Sequence, residues 1–222
     1  MQKLLRQNGL SIVLTVLFLL FLTGQAIAGM FAYNQKQQEH GQPAVDFVSY
    51  VGTSHFMEAT MENWESEFLQ MFAFVVLTAC LFQKGSAESK DPDEEEVVDR
   101  DPRRSRKKKD APWPVRKGGL ILTLYEHSLS LAFLLLFLMS FTLHAISGTA
   151  EYNQGQREHG QYEEISTREY MGTPRFWFES FQNWQSEFLA VGAMVVLTIF
   201  LRQRGSPESK PVDSPHDETG GD

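Results

Sequence analysis

The sequence lacks the features of most soluble enzymes. It has one cysteine, Cys80, so no intrachain disulfide can form, and we interpret this residue as a packing side chain. It contains no glycine-rich nucleotide loop, no nucleophile elbow and no Cys-x-x-Cys pair. Basic residues are not in excess, since the net charge is −8, and this argues against nucleic-acid binding. We therefore expect no enzymatic activity and no cofactor.

Charge is also missing from two long stretches. Residues 10–32 and 129–150 contain no charged side chain, and each is long enough to cross a hydrocarbon core of roughly 30 Å as a helix. Residues 68–82 and 188–201 are uncharged as well, but they are shorter, at 15 and 14 residues. Taken alone, either short stretch could be a buried core helix.

What the chain does contain is an internal repeat. Residues 33–42 read Tyr-Asn-Gln-Lys-Gln-Gln-Glu-His-Gly-Gln, and residues 152–161 read Tyr-Asn-Gln-Gly-Gln-Arg-Glu-His-Gly-Gln. Residues 63–69 read Asn-Trp-Glu-Ser-Glu-Phe-Leu and return at 183–189 with one change, to Gln185. Each copy lies between a long and a short apolar run, so the repeat predicts a duplicated pair of membrane helices.

The N-terminus resembles a secretory signal. Lys3 and Arg6 precede an apolar run that ends in the small-residue sequence Ala-Ile-Ala at 26–28. Cleavage there would remove residues 1–28 and one helix. However, residues 10–29 correspond to residues 129–148, which lie in mid-chain where no signal peptide acts. We therefore favour a retained first helix and interpret its small residues as a close helix contact.

Basic residues predict the orientation in the membrane. The linker 83–119 contains eleven Lys or Arg residues, whereas the first loop, 33–63, contains only Lys36 against four acidic side chains. The linker and both termini are therefore expected in the cytoplasm, and both motif-bearing loops outside. The basic run of the linker could also bind anionic lipid headgroups. Its members are Arg103, Arg104, Arg106, Lys107, Lys108 and Lys109.

These observations predict an all-α membrane protein with four transmembrane helices, arranged as two parallel in-out-in hairpin repeats with outward-facing loops. The first hairpin covers residues 1–83, with spans at about 10–32 and 63–82. The second covers 120–203, with spans at about 122–148 and 183–201. The charged linker 84–119 and the polar tail 204–222 are predicted to be disordered and cytoplasmic.

The second helix of each half is predicted to begin outside the membrane. Thr53 and Thr173 stand where a helix N-cap is expected, and a proline follows the second of them. The aromatic residues that come next suit a membrane–water interface, because tryptophan and phenylalanine recur at i, i+4 on one helix face. These interface residues are Trp64, Phe68, Trp184 and Phe188.

The repeated Glu-His-Gly-Gln segment admits two interpretations. Glu39, His40, Glu158 and His159 could converge on a divalent metal such as Zn²⁺. Alternatively, the segment ends the first helix of each half and satisfies its terminal carbonyl groups, with glycine in the turn. We favour the structural interpretation, because no His-x-x-x-His or similar ligand spacing is present.

Four further polar side chains lie within, or at the mouth of, the predicted spans. Gln25 and His144 occupy equivalent positions in the first and third spans, and each needs a partner inside the bundle. Glu67 and Glu187 stand at the start of the second and fourth spans, where ionisable groups are functional candidates.

The two motifs, Tyr-Asn-Gln…Glu-His-Gly and Asn-Trp-x-Ser-Glu-Phe, each present twice, resemble a family of small uncharacterised bacterial integral membrane proteins. The resemblance implies the bacterial cytoplasmic (inner) membrane and carries over no activity. We expect a non-enzymatic scaffold, accessory or sensing protein with an extracytoplasmic cap, which contacts the bilayer and a membrane-protein partner or a second copy of itself. The alternatives are a small oligomeric channel or transporter and, last, a metal-dependent membrane enzyme.

Overall fold

A computed structural model describes residues 2–220, with side chains from residue 5 onward. All regular secondary structure in this range is helical. The prediction of an all-α protein is therefore confirmed for the described residues. The side chain of Lys3, which supports the predicted orientation, and residues 221–222 of the predicted tail lie outside this range.

The helices follow the same order of long, short and long in each half of the chain. The first half contains α1 (Gln2–Glu39), α2 (Phe47–Val51) and α3 (Ser54–Cys80). Between the halves lie the 3₁₀ helices Val97–Asp99 and Pro102–Ser105, followed by α4 (Trp113–Lys117) and α5 (Gly119–Glu126). The second half contains α6 (Ser128–Glu158), α7 (Thr167–Tyr170) and α8 (Pro174–Phe200).

Within the described part of the chain, three helices are long and apolar enough to cross a membrane, rather than the predicted four. They are Leu5–Glu39 within α1, the whole of α6, and α8. The predicted span that is not among these three, residues 63–82, covers most of α3 and the two residues after it. Helix α3 carries Glu65 and Glu67 near its middle. Helix α3 has 13 residues after Glu67, and α8 has the same number after Glu187, so length does not separate the two helices. The C-terminal part of α3 is less apolar, because it contains Gln70, Ala79 and Cys80 where α8 has Ala190, Ile199 and Phe200. In α8 the position equivalent to Glu65 is the uncharged Gln185.

The predicted third span, 122–148, is interrupted at its start. Helix α5 ends at Glu126 and α6 begins at Ser128, with His127 between them at φ −109° and ψ 11°. Two serine hydroxyls donate to backbone carbonyl groups at this junction: Ser128 to Tyr125 at 2.8 Å and Ser130 to His127 at 3.0 Å. Such local bonds compete with helical ones, so the membrane-length helix starts after the break.

The described chain divides into two compact units. The first comprises the chain up to Met61 together with Thr142–Phe176, and the second comprises Glu62–Phe141 together with the chain from Trp177 onward. In the first unit, the loops of both halves gather at the C-terminal ends of α1 and α6. In the second, the loops that follow α3 and α8 contain a third repeated motif that the sequence analysis overlooked.

This third motif reads Gln-x-Gly-Ser-x-Glu-Ser-Lys at 83–90 and 203–210. In both copies the backbone N–H of the glutamine donates to the hydroxyl oxygen of the second serine, at 2.8 and 2.9 Å. The glycine of each copy has a φ above +80°. The tail then folds over Lys210, whose Nζ donates to the carbonyl groups of Pro215, His216 and Glu218. The disorder of the linker and tail in solution stays a prediction.

Candidate functional site

The candidate site is a cluster of loops in the first unit, which we call the loop cap. It consists of the C-terminal ends of α1 and α6 from Gly29 and Gly148 onward, the short helices α2 and α7, and the connections up to Met61 and Phe176. Both copies of the Tyr-Asn-Gln…Glu-His-Gly-Gln motif lie in it. The structure assigns a local contact to nearly every residue of that motif.

The glycine of each motif ends a long helix. Gly41 has φ 68° and Gly160 has φ 76°, the left-handed conformation that glycine adopts without steric cost. The amide N–H of the residue after each glycine reaches back to a carbonyl group five residues earlier, at 2.8 Å in α1 and 2.9 Å in α6. These bonds form the helix-ending motif that the structural interpretation predicted.

The histidine of each motif supports the same helix end. His40 Nδ1 lies 2.9 Å from the carbonyl oxygen of Lys36, and His159 Nδ1 lies 2.7 Å from that of Gly155. Because a carbonyl group only accepts, both Nδ1 atoms carry the proton and donate. The two rings meet edge to face, with their centroids 5.7 Å apart.

The two glutamates do not join the histidines as a set of ligands. The Oε1 atoms of Glu39 and Glu158 each accept from the glutamine four residues earlier, at 3.4 and 3.0 Å. Among the described residues, no group of three or more His, Cys, Asp or Glu side chains could hold a metal ion. The metal-site hypothesis therefore stays a prediction that rests on the two neighbouring imidazoles alone.

The asparagine of each motif fixes the following loop. Asn34 accepts from the Val45 amide at 2.8 Å and donates to the Val45 carbonyl at 2.9 Å. Asn153 makes the same pair of bonds with Ile165, at 3.0 and 2.9 Å. A side-chain amide that pairs with a backbone amide in this way satisfies both polar groups of an irregular loop residue.

A buried tyrosine from each short helix packs on a glycine of the long helix before it. The position of a Cβ on Gly29 would lie 2.2 Å from the hydroxyl of Tyr50, and one on Gly148 would lie 2.7 Å from the ring of Tyr170. The predicted close contact of these small residues is therefore present. It is made with a tyrosine of the loop cap rather than with another membrane helix.

Charged groups of the two halves pair within the loop cap. Lys36 of α1 lies 3.2 Å from Glu151 and 3.6 Å from Glu158, and both of these carboxylates are nearly buried. Arg175 lies 3.4 Å from Glu58, which also accepts from the hydroxyl of Tyr170. Buried carboxylates need such partners, because an unpaired charge is costly to remove from water.

His55 is a half-buried histidine at the start of α3. Its Nδ1 lies 3.0 Å from the hydroxyl of Tyr50. Burial lowers the pKa of His55 below 6.5, Glu151 opposes the shift and Lys36 adds to it. The imidazole is therefore neutral at neutral pH, and its protonation would place a second cation beside Lys36.

The helix caps follow the sequence in part. The hydroxyls of Thr53 and Thr173 accept from backbone amides at 3.2 and 3.3 Å, as predicted for N-caps. The short helices have caps that the sequence analysis did not identify, Asp46 for α2 and Ser166 for α7. For α7 the available signal was the capping-box spacing Ser166-x-x-Glu169, in which the serine and the glutamate each accept from the other's backbone amide.

Of the four predicted polar residues of the spans, Gln25 and His144 contact residues of their own half, whereas Glu67 and Glu187 come from different halves and lie near each other. Gln25 of α1 donates to Thr60 of α3 at 3.3 Å. His144 of α6 is fully buried and stacks on Phe176 of α8, with ring centroids 5.0 Å apart. In the second unit, Glu67 is exposed and Glu187 is half-buried, and the two are close enough to interact electrostatically.

The predicted interface aromatics differ between the halves. Trp64 and Phe68 form the expected i, i+4 contact, with ring centroids 6.3 Å apart. Trp184 instead lies in a cluster of aromatic rings, and Phe188 is exposed. The rings that Trp184 contacts are Phe137, Trp177 and Phe181.

Sequence analysis missed the most buried acidic residue of α3. Glu65 has no exposed surface, and its Oε1 accepts from the Ser180 hydroxyl at 2.9 Å and from the Trp184 indole N–H at 3.2 Å. Glu62, one turn earlier, accepts from Asn183. The available signal was the single difference within an otherwise repeated motif, Glu65 against Gln185.

Comparison with known proteins places the chain in a family. The family model described as "Domain of unknown function (DUF6766)" matches residues 1–221. No curated protein and no solved structure matches the chain. A match over this length, to a chain with three membrane-length helices, agrees with the expected resemblance to an uncharacterised membrane family. The chain belongs to the DUF6766 family.

Proposed function

We propose that this protein is a non-enzymatic scaffold or sensing protein of the bacterial inner membrane, and that the loop cap is the surface it presents to a partner. The observation that carries the proposal is the duplicated set of side-chain-to-backbone bonds in the cap. Asn34 and Asn153 hold the two loops in one conformation, and Tyr50 and Tyr170 anchor them to the long helices. A loop pair fixed so thoroughly is preorganised for recognition.

The proposed topology places the cap outside the cytoplasm. The linker contains eleven Lys and Arg residues, and the tail begins with Arg202 and Arg204. This excess of basic residues favours the cytoplasmic side for the linker and for the tail. In this arrangement α3, which has 27 residues like α8, crosses the bilayer as a fourth span beside the three membrane-length helices. Its acidic first half would stand above the membrane, and the two halves form parallel hairpins with both termini in the cytoplasm.

Exposed apolar side chains on the cap supply the contact surface. Val48 of α2 is 78% exposed, and Tyr162, in the loop before α7, is 81% exposed. Both lie outside the membrane-length helices, so lipid does not account for their exposure. Exposed apolar residues on a rigid surface are typical of protein interaction sites.

Cysteine labelling tests the topology. In a Cys80→Ala background, single cysteines would replace Val48 and Tyr162 in the cap, and the exposed Val98 and Val212 in the linker and tail. A membrane-impermeant maleimide applied to intact spheroplasts should label the two cap positions only. The linker and tail positions should react after permeabilisation. Labelling of Val98→Cys in intact spheroplasts would overturn the topology.

Site-specific photo-crosslinking tests the scaffold role. A photoreactive amino acid at position 48 or 162 should yield one discrete protein adduct in native membranes. The same amino acid at Leu135, an exposed position in the middle of α6, serves as the lipid-facing control. Adducts to lipid alone from all three positions would contradict the scaffold proposal.

A second function, ion or proton passage through an oligomer, is favoured by one observation. Glu65 is a fully buried carboxylate, and Glu67 and Glu187 interact nearby in the second unit. Acidic side chains at membrane depth commonly mark pathways for ions. Reconstituted vesicles with wild type should then show a flux that Glu65→Gln or Glu187→Gln reduces. An unchanged flux in both variants would exclude this pathway.

A further inference from the structure

The basic run of the linker has a folded core. Asp101 caps the 3₁₀ helix Pro102–Ser105 by accepting from the Arg103 amide at 2.9 Å. This helix packs against α4, whose Val115 is buried. The basic side chains therefore extend from a defined surface rather than from an extended chain.

Arg106 joins this surface to the next helices. Its Nε and Nη2 donate to the carbonyl oxygens of Arg116 and Lys117, at 3.2 and 3.1 Å, at the C-terminal end of α4. A cation that bonds to terminal carbonyl groups stabilises a helix end. Gly118 follows with φ 73°, and a Cβ at that position would lie 3.3 Å from the guanidinium carbon of Arg106.

A cleft of about 540 Å³ opens between the 3₁₀ helix and α4, and we call it the basic cleft. Its walls carry Arg100, Arg104 and Lys108, against the acidic Asp101 and Asp110. The three basic residues outnumber the two acidic ones, and Asp101 is already engaged, since it accepts from the Arg103 amide and lies 3.8 Å from the Arg103 guanidinium group. Two or three neighbouring cations on one cleft suit a phosphate group.

The surroundings of the cleft match a membrane surface. Trp113 of α4 is exposed, and so are Leu120 and Leu124 of α5, immediately before the membrane-length helix α6. Tryptophan favours the headgroup region, and leucine favours the acyl boundary below it. The cleft therefore lies where lipid headgroups are available.

We propose that the basic cleft binds the phosphate headgroup of an anionic phospholipid, with Arg104 and Lys108 as the principal phosphate contacts. Arg106 acts as a positioning residue, because its guanidinium group holds the basic run against α4. The proposal does not depend on the scaffold role of the loop cap. A protein with no partner at the cap could still bind such a lipid.

Competition between two lipids tests the proposal. Full-length protein in neutral detergent would be mixed with equal amounts of phosphatidylglycerol and phosphatidylcholine, and native mass spectrometry would count the retained molecules. Wild type should retain phosphatidylglycerol about tenfold over phosphatidylcholine. The double variant Arg104→Glu with Lys108→Glu should lose this preference.

A matched control separates the cleft from general charge. Lys84→Glu with Arg204→Glu changes the net charge by the same amount at two exposed positions of the other linker and tail loops, and it should keep the preference. Equal loss in both double variants, or equal retention of both lipids by wild type, would overturn the proposal. So would full displacement of the lipid by free glycerol phosphate, since the site would then bind a soluble anion.

Folding is checked separately. Arg104→Gln with Lys108→Gln removes the charges without introducing acidic groups and should also lose the preference. Circular dichroism of each variant should match wild type, because the replaced side chains are exposed.

Discussion

Tyr170 lies so close to Gly148 that a single added carbon would overlap its ring: a Cβ on Gly148 would be 2.7 Å from one ring carbon and 2.8 Å from the hydroxyl. Tyr170 has no exposed surface and is held by α7, so it has little room to move. The same relationship joins Tyr50 to Gly29. Gly29 and Gly148 both have helical backbones, which any residue can adopt. Glycine is therefore required at these positions by the nearby tyrosine and not by the backbone conformation.

Gly148→Ala should therefore lower the stability of the protein. Overpacking of this kind costs about 1–3 kcal/mol, because the tyrosine or the helix must shift. Gly155→Ala is the matched control in the same helix, since its Cβ would meet no atom within 4 Å. It should raise stability slightly, by up to about 1 kcal/mol, through helix propensity. Thermal unfolding in detergent, followed by circular dichroism, measures both; equal melting temperatures would contradict the contact.

Asn34→Ala should release the first loop of the cap and leave the second in place. The Val45 amide loses its acceptor, so we expect its hydrogen-exchange protection to fall by a factor of about 5–10, equivalent to about 1–1.5 kcal/mol. Asn153→Ala is the reciprocal control and should expose Ile165 instead. If either variant altered both loops equally, the two asparagines would not act as independent clamps.

The loop cap should lose stability as the pH falls below about 6.5. Burial lowers the pKa of His55 in the folded protein, so the unfolded chain binds more protons in the window between that lowered pKa and 6.5. Stability attributable to His55 is therefore present above pH 6.5 and is lost as the pH decreases through this window. Acid should act on the first unit, which contains His55.

His55→Asn isolates this effect, because asparagine keeps a polar side chain that does not titrate. The comparison is the slope of unfolding free energy against pH between neutrality and pH 5, for wild type and for the variant. The variant should show the shallower slope. Identical slopes would mean that other groups control the acid response. Tyr162→Phe, at an exposed position of the same unit, should leave the slope unchanged.

Glu65 should matter as a hydrogen-bond acceptor more than as a charge. Glu65→Ala leaves the Ser180 hydroxyl and the Trp184 indole N–H without this acceptor, and we expect a loss of about 2–4 kcal/mol. Glu65→Gln keeps an acceptor oxygen at the same place and should cost less than half as much. Glu67→Gln, at an exposed position, is the control and should be nearly neutral. Equal losses for Ala and Gln at position 65 would assign the stabilisation to the charge.

Sequence reasoning succeeded where the interaction is local. The helix ends at Gly41 and Gly160 and the caps at Thr53 and Thr173 involve bonds over three to five residues, so their residue types and spacing carry the information. The clamp joins Asn34 to Val45, eleven positions later, across the C-terminal end of α1 and the loop that follows it, and a side-chain amide alone does not reveal its partner.

The number of spans could not be predicted because it depends on how apolar the C-terminal part of one helix, α3, is. That part has the same length as its counterpart in α8 but is less apolar, and the repeat suggested that the two helices should behave alike. The buried Glu65 shows where the halves diverge: its bonds to α8 come from residues 115 and 119 positions away in the chain. The overlooked Gln-x-Gly-Ser-x-Glu-Ser-Lys motif was visible in the sequence, but its polar composition resembles a flexible loop.

The ion pairs of Lys36 make the two halves of the chain unequal. This one lysine pairs with both Glu151 and Glu158, two nearly buried carboxylates contributed by the second half. The residue at the equivalent position of the second half is Gly155, which carries no charge. A dimer built from two copies of the second half would therefore bury four carboxylates with no lysine at this position to meet them. The first half therefore supplies the counter-ion for carboxylates of the second half, and the two halves are not interchangeable.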